Sequence, residues 1–318
     1  DIIGFSLPYE TLYTNTLNAL DLAGIPLFST ERSEHDPLVI AGGHATYNPE
    51  PMYAFIDAFV IGEGEEVIQE IIDAHQAWRQ SAASRQELLQ RLSRIWGVYV
   101  PALYEAEYHP DGTFSQMRKL DATAPLPVIK RIVAKLPPPP TRFIVPYIDT
   151  VHNRVPIEIM RGCTRGCRFC HAGMVYRPVR ERSVAKLEEQ ARQQIENSGY
   201  DEISLASLST LDYSGIMRLV KILVNTYGPR GIGVSLPSLR VDAFSIELAN
   251  EVQKVRKTTL TLAPEAGTQR LRDVINKNVS ETDLMQAVEA AFGSGWNAVK
   301  LYFMLGLPTE KQEDLDGI

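Results

Sequence analysis

Residues 155–173 read VPIEIMRGCTRGCRFCHAG, and the fold is read outward from that stretch. Its first part, VPIEIMRG (155–162), is a short apolar run closing on glycine, as expected of a parallel strand covered on both faces. Cys163, Cys167 and Cys170 follow directly, spaced C-x3-C-x2-C on one glycine-rich loop, and they are the only cysteines in the chain. An odd number in so tight a cluster argues against disulfides and for thiolates that hold metal in a reducing, cytoplasmic setting. Three such thiolates can hold three irons of a [4Fe–4S] cube. With no fourth cysteine, one iron stays open to a substrate-like ligand, as a catalytic metal keeps a vacant position. Gly162 and Gly166 let the backbone curl close to a bulky cluster, and Phe169 would shield one side of it. The alternatives are a zinc site of Cys3His type that recruits His171, or cysteines that are merely buried.

Downstream, strand and helix patterns alternate. Strands are expected at EISLASLS (202–209), GIGVSLPSL (231–239), TTLTLAPEA (258–266) and NAVKLYFMLG (297–306). Helices are expected near 184–198, 211–226, 244–256, 269–276 and 281–293. Asp212 and Ser280 read as helix N-caps, Ser280 with Asp283 as a partial capping box. Five βα units in series predict a partial barrel of parallel strands with its site at the C-terminal rim. The chain opens on Asp1 inside a strand pattern and stops inside a helix pattern, so it reads as an internal fragment.

Cys163, Cys167, Phe169 and Cys170, placed on the loop after the first strand of a partial barrel, resemble the radical SAM superfamily. The resemblance implies that the open iron chelates the amino and carboxylate groups of S-adenosylmethionine (SAM). One electron, from an external flavodoxin- or ferredoxin-like donor, would cleave a C–S bond and yield a 5′-deoxyadenosyl radical that abstracts hydrogen from a substrate. It also implies SAM contacts. Ser207 and Ser209, in ASLST (206–210), stand where many members carry a GGE-like motif near the methionine amino group. Ser235, Ser238 and Arg240 sit near the rim of the third strand, with Arg240 able to pair the methionine carboxylate. APEAGTQRLRDVINK (263–277) resembles a stretch that points to Glu265 and Lys277, against the blander reading of a solvated Glu and a Lys favoured by a helix end. YFMLGLPTEKQED (302–314) resembles the strand-five motif beside the adenine, with Gly306 and Pro308 shaping the turn.

The N-terminal part also alternates. DIIGFSLP (1–8), PLVIAGG (37–43) and DAFVIGEGE (57–65) read as strands. Helices are expected from Tyr9 to Ala23, over EEVIQEIIDAHQAW (65–78) and from Arg85 to Ile95. This is a doubly wound, Rossmann-like sheet. GVYVPALYEAEYHPDGTFSQMRKL (97–120) reads as a hairpin turning at Pro110-Asp111-Gly112, and LPPPP (136–140) as an extended connector. The expected division is 1–96, a connector over 97–150, and 151–318. LVIAGGHATYNPEPM (38–52) with DAFVIGEGE resembles the cobalamin-binding-type Rossmann domain that precedes many radical SAM domains, so cobalamin is a candidate cofactor. Gly42, Gly43, Gly62 and Gly64 end strands where a backbone either approaches a ligand's tail or simply turns. Asp73-Ala74-His75 matches half of a D-x-H-x-x-G motif, but Trp78 replaces the glycine inside a predicted helix, so it is rejected. His44 is a candidate ligand contact or a structural loop histidine.

The 318 residues are 44% hydrophobic and 22% charged, the composition of a soluble two-domain protein. A net charge of −7 and a pI near 5.5 argue against a mainly electrostatic binder of nucleic acid or membrane. No apolar run approaches the ~18 residues of a membrane span, and no signal peptide opens the chain. Against this acidic background Arg161, Arg165, Arg168, Arg177, Arg180, Arg182 and Lys186 share one stretch with a single acid, Glu181. That run could stabilise an anionic cluster, meet the SAM carboxylate or bind RNA phosphates. The expected function is radical SAM catalysis on an RNA base, a peptide or a small metabolite; the rival is a non-catalytic zinc or iron–sulfur binding module.

Overall fold

In the computed structural model, residues 1–148, 150–236, 247–248, 251 and 260–318 are described. They form two units, Asp1–Lys135 and Leu136–Ile318.

In the first unit the glycine-closed apolar runs become strands β1 (Ile2–Ser6), β2 (Leu38–Gly42) and β3 (Ala58–Val60), paired in parallel in that order. Helix α1 (Tyr13–Leu22) connects β1 to β2, and α2 (Gly64–Arg79) and α3 (Arg85–Ser93) follow β3. Val67, Ile71, His75 and Trp78 recur every three or four residues on α2 and are its buried side. Strand β4 (Val98–Tyr99) pairs antiparallel with β3 and extends this sheet, whereas the sequence pattern reads it as the start of a hairpin. The hairpin itself is β5 (Tyr104–Tyr108) with β6 (Phe114–Lys119). Its turn carries Gly112 at φ 82°, and Asp111 accepts hydrogen bonds from the Thr113 N–H and hydroxyl. Asp57, only 3% exposed, is held by the Val39 N–H (2.7 Å), Arg85 (2.8 Å) and Arg32 (3.2 Å).

Two of the strand-ending glycines face the chain's own backbone. A Cβ on Gly62 (φ 120°) would lie 2.2 Å from the Arg131 carbonyl oxygen, and one on Gly43 (φ 114°) would lie 2.8 Å from that of Leu7. Residue 131 bridges to Gly62 like an added strand.

The second unit carries the repeated βα pattern. Strand β7 (Val155–Glu158) is followed by β8 (Met160–Arg161) and β9 (Arg180–Glu181), which pair antiparallel. Strands β10 (Glu202–Ala206) and β11 (Gly233–Ser235) join β7 in a parallel sheet ordered β11-β10-β7. Strands β12 (Leu260–Glu265) and β13 (Val299–Phe303) form a second parallel pair. Among the described residues the strands do not close into a barrel. The mixed α/β architecture with parallel sheets is the class expected from sequence.

Helices α5 (Val184–Ser198) and α6 (Ile216–Tyr227) cover the three-stranded sheet; a short helix, α4 (His171–Val175), precedes them. Leu187, Ala191 and Ile195 recur every four residues, and with Leu219, Val220 and Leu223 they share one core with Ile157, Ile203 and Leu205. Each fully buried Leu or Ile contributes about 1.5–3 kcal/mol relative to exposure. Gly199, at φ 72°, ends α5 in the left-handed conformation that suits glycine.

Ser280 caps the helix Glu281–Gly293 with a complete capping box. Asp212 is not a cap: α6 starts after Gly215, and Asp212 closes a 3-10 turn, Thr210–Asp212. The helix expected over 244–256 lies outside the described residues apart from 247, 248 and 251. Near the C-terminus the buried Asp314 accepts from Thr268, Arg270 and the Lys311 N–H, and these bonds, the Thr268 hydroxyl's foremost, hold its carboxyl at about 2.

Candidate metal centre

The cysteine loop leaves β8 and returns as β9, so antiparallel pairing of Met160–Glu181 and Arg161–Arg180 ties its two ends together. Gly162 sits at the neck. Its φ is 92°, and a Cβ there would lie 2.6 Å from the Tyr176 carbonyl oxygen and 2.7 Å from that of Pro178. Only glycine fits so close an approach in that conformation. Arg177 donates to the Cys163 carbonyl (3.2 Å) inside the loop.

The three cysteines are free and half-buried. Backbone N–H groups point at two of the sulfurs: Arg165 at Cys163 Sγ (3.5 Å) and Gly173 at Cys170 Sγ (3.3 Å). Among the described residues no three His, Cys, Asp or Glu side chains converge as they would around one metal ion. A cube makes a different demand, because each thiolate binds its own iron and the sulfurs spread around the cluster. Three thiols on one closed loop, partly open to solvent and already receiving N–H groups, fit that demand.

The loop is pinned from two sides. On one, the Arg165 guanidinium makes a forked ion pair with Asp212, with Nε 2.8 Å from Oδ2, and the Ser209 hydroxyl braces the same carboxylate at 2.7 Å. On the other, the Arg168 N–H donates to the Ile275 carbonyl (2.9 Å), its guanidinium to the Val274 carbonyl, and Asn276 Nδ2 to the Gly166 carbonyl (2.9 Å). Asn276 lies at φ 55°, a conformation that Asn tolerates better than most residues.

Of the residues expected to surround SAM, Phe169, Glu265 and Lys277 come together. Lys277 Nζ is 2.9 Å from Glu265 Oε1 and 6.0 Å from the Phe169 ring centroid. Lys277 is 7% exposed, so the pair is not a solvated Glu beside a surface Lys. Glu265 has φ 69°, an uncommon backbone for a non-glycine residue. Ser209 reaches the loop through Asp212, and Ser207 shares a hydrogen bond with Thr210 (3.1 Å). Ser235 ends β11 with its hydroxyl oxygen buried and without a hydrogen-bond partner among the described residues. Ser238 and Arg240 lie outside the described residues.

Sequence reasoning missed Glu158, Asp212 and Asn276 as supports of the loop. Glu158 accepts from Arg161 (2.9 and 3.2 Å) and Arg182 (2.9 Å). Burial pushes its carboxyl up, but the two guanidinium groups outweigh this and hold it below its ordinary value. The available signal was an acid inside an apolar strand, three residues before an arginine. The arginines of the basic run all have internal acceptors: Glu158 for Arg161 and Arg182, Asp212 for Arg165, and carbonyls for Arg168, Arg177 and Arg180. Lys186 is exposed.

Residues 157–318 match the family model of the radical SAM superfamily, and residues 1–101 that of the N-terminal region of radical SAM proteins. The chain belongs to the radical SAM superfamily. Radical SAM enzymes as a class use a [4Fe–4S] cluster and SAM and generally need an external electron donor, so the zinc-module rival is not favoured. A radical SAM chain of this kind has relatives of greater length. It is 28% identical over 322 residues to an uncharacterized protein of Methanocaldococcus jannaschii, covering 99% of this chain and 61% of that one. It is 22% identical over 338 residues to an uncharacterized methyltransferase of Pyrococcus horikoshii, covering 99% and 62%. The chain thus spans about three-fifths of the length of the curated relatives it matches.

Two solved radical SAM enzymes share the fold. The cobalamin-dependent enzyme OxsB, with aqua-cobalamin and SAM bound, aligns with a TM-score of 0.62 at 12% identity, over 100% of this chain and 42% of that one. The methyltransferase TsrM from Kitasatospora setae, with cobalamin and a [4Fe–4S] cluster bound, aligns at 0.63 and 14%, over 99% and 60%. At such identities the likeness is one of fold. Among the described residues no helix is long and apolar enough to cross a membrane.

Proposed function

We propose that Cys163, Cys167 and Cys170 hold a [4Fe–4S] cluster with one iron left for SAM, and that the enzyme cleaves SAM reductively to modify a peptide or small metabolite. The observation that carries this is the loop itself: three half-buried thiols, a neck that admits only glycine, and anchors on both sides. When bound, the cluster supplies one electron to SAM, whose C–S bond breaks to methionine and a 5′-deoxyadenosyl radical that takes hydrogen from the substrate. Glu265 with Lys277 offers a largely buried charged pair to SAM's polar groups, beside the exposed Phe169 ring of the loop. The orphaned Ser235 hydroxyl is a further candidate contact, as are Ser207 and Arg240, while Ser209 serves through Asp212. RNA is the less favoured substrate, because the arginines of the basic run are occupied by internal acceptors.

The test is anaerobic reconstitution followed by iron and sulfide analysis and chromatography for 5′-deoxyadenosine. About four irons and four sulfides per chain, with product that vanishes in each Cys→Ala variant, support the reading. Undiminished product from the triple variant refutes it. Retention of cellular RNA that weakens as salt rises would restore RNA as substrate.

Methyl transfer is a second reading, favoured by the description of the Pyrococcus horikoshii relative and by the shared fold with TsrM. Cobalamin is the candidate carrier. Gly43 and Gly62 do not fit as a cradle for its tail, since the backbones of Leu7 and Arg131 fill the space beside them. A methylated product formed from SAM labelled at its methyl group would distinguish this reading.

A further inference from the structure

The Arg165–Asp212 pair occupies an unusual position. Arg165 lies between the first two cysteines, and its backbone N–H is the group directed at Cys163 Sγ, at 3.5 Å. Its guanidinium forks onto an acid from the turn after β10, the strand that neighbours β7. An Arg–carboxylate fork fixes orientation as well as distance. Ser209, from the same turn, fixes the carboxylate in its place. Side-chain exposures of 32% and 23% leave the pair partly shielded from water, where a charge acts more strongly than on an open surface.

We propose that Arg165 and Asp212 are a positioning pair for the cluster: together they hold the residue-165 amide on the Cys163 sulfur and fix the placement of two opposite charges beside it. This rests on the reading of the loop as a cluster binder. Cluster potentials respond to net charge and to hydrogen bonds at the sulfurs, so the pair acts on both.

The experiment compares wild type, Asp212→Asn, Arg165→Met and the double variant, each reconstituted anaerobically. One readout is the half-time of cluster loss to an iron chelator; the other is the midpoint potential, from a redox titration followed by electron paramagnetic resonance. Both single variants should lose the cluster several-fold faster. Asp212→Asn removes a negative charge beside Cys163 and should shift the potential upward, whereas Arg165→Met removes a positive one and should shift it downward. A tenfold change in the ratio of reduced to oxidised cluster corresponds to about 59 mV for one electron. The double variant should return toward the wild-type potential while still losing its cluster quickly. Wild-type retention and potential in both single variants would overturn the proposal, as would shifts of the same sign. Urea unfolding of the cluster-free proteins separates these effects from a failure to fold. A wild-type protein that takes up no iron and sulfide would instead overturn the functional reading itself.

Discussion

Replacing Gly162 by alanine probes the neck of the cysteine loop directly. The new Cβ would stand 2.6 and 2.7 Å from two carbonyl oxygens that belong to the returning chain, and backbone cannot step aside as a side-chain tip can. Two costs add. A Cβ in left-handed backbone costs about 1–2 kcal/mol, and forcing an extra methyl into a filled space costs typically about 1–3 kcal/mol. The sum, roughly 2–5 kcal/mol, is a large share of the ~5–15 kcal/mol that holds a domain together. Gly112 supplies the control. It has φ 82° but nothing within 4 Å of its would-be Cβ among the described residues, so Gly112→Ala should show the backbone cost alone. Gly166, at φ 72°, meets only side-chain nitrogens at 3.5 Å and should fall near the control in stability. The assay is urea unfolding of the three cluster-free variants, followed by anaerobic cluster loading measured as iron per chain. Gly162→Ala should be the least stable and load the least iron. Equal stability and full loading in Gly162→Ala and Gly112→Ala would refute the argument that the neck is closed by backbone contact.

Other substitutions test the remaining supports. Asp57→Ala should destabilise the first unit by about 3–5 kcal/mol, because Arg32 and Arg85 would be left as buried charges without their partner; a urea midpoint checks it. Asn276→Gly keeps the left-handed backbone of residue 276 but removes the bond to the Gly166 carbonyl, so it should speed cluster loss to a chelator with little effect on the unfolding midpoint. Asp314 is held at about 2 against an ordinary 3.8, so the unfolded chain takes up its proton first as the solution is acidified. Its stabilising contribution is present above 3.8 and is lost as pH falls toward about 2; the unfolding midpoint of Asp314→Asn should therefore fall less steeply than wild type across that window.

Parts of the molecule that depend on near neighbours in sequence were legible from the residues. The helix over 184–198 follows from apolar residues four apart and a terminating glycine, and the Ser280 cap from an acid three residues on. The cysteine loop was legible for the same reason: its three cysteines lie within eight residues and directly follow a strand. The short parallel strands announced themselves as apolar runs closed by glycine, because a strand buried on both faces has no polar side to alternate with.

The supports of the loop were not legible. Asp212 has the chemistry of a helix cap, and nothing local says that its carboxylate goes instead to a guanidinium 47 residues away. Asn276 reaches a carbonyl 110 residues distant. The arginine run, which by composition suits a phosphate backbone, is consumed by carboxylates and carbonyls that the fold brings to it. Likewise Gly62 is small because Arg131 passes against it, a neighbour that no spacing rule identifies. Residue spacing alone therefore determined where the three cysteines stand and which segments form strands and helices, since those depend on periodicity within one segment. Only the tertiary structure decided what each charge is paired with and which face of the loop is held, since those depend on segments that meet only after the chain has folded.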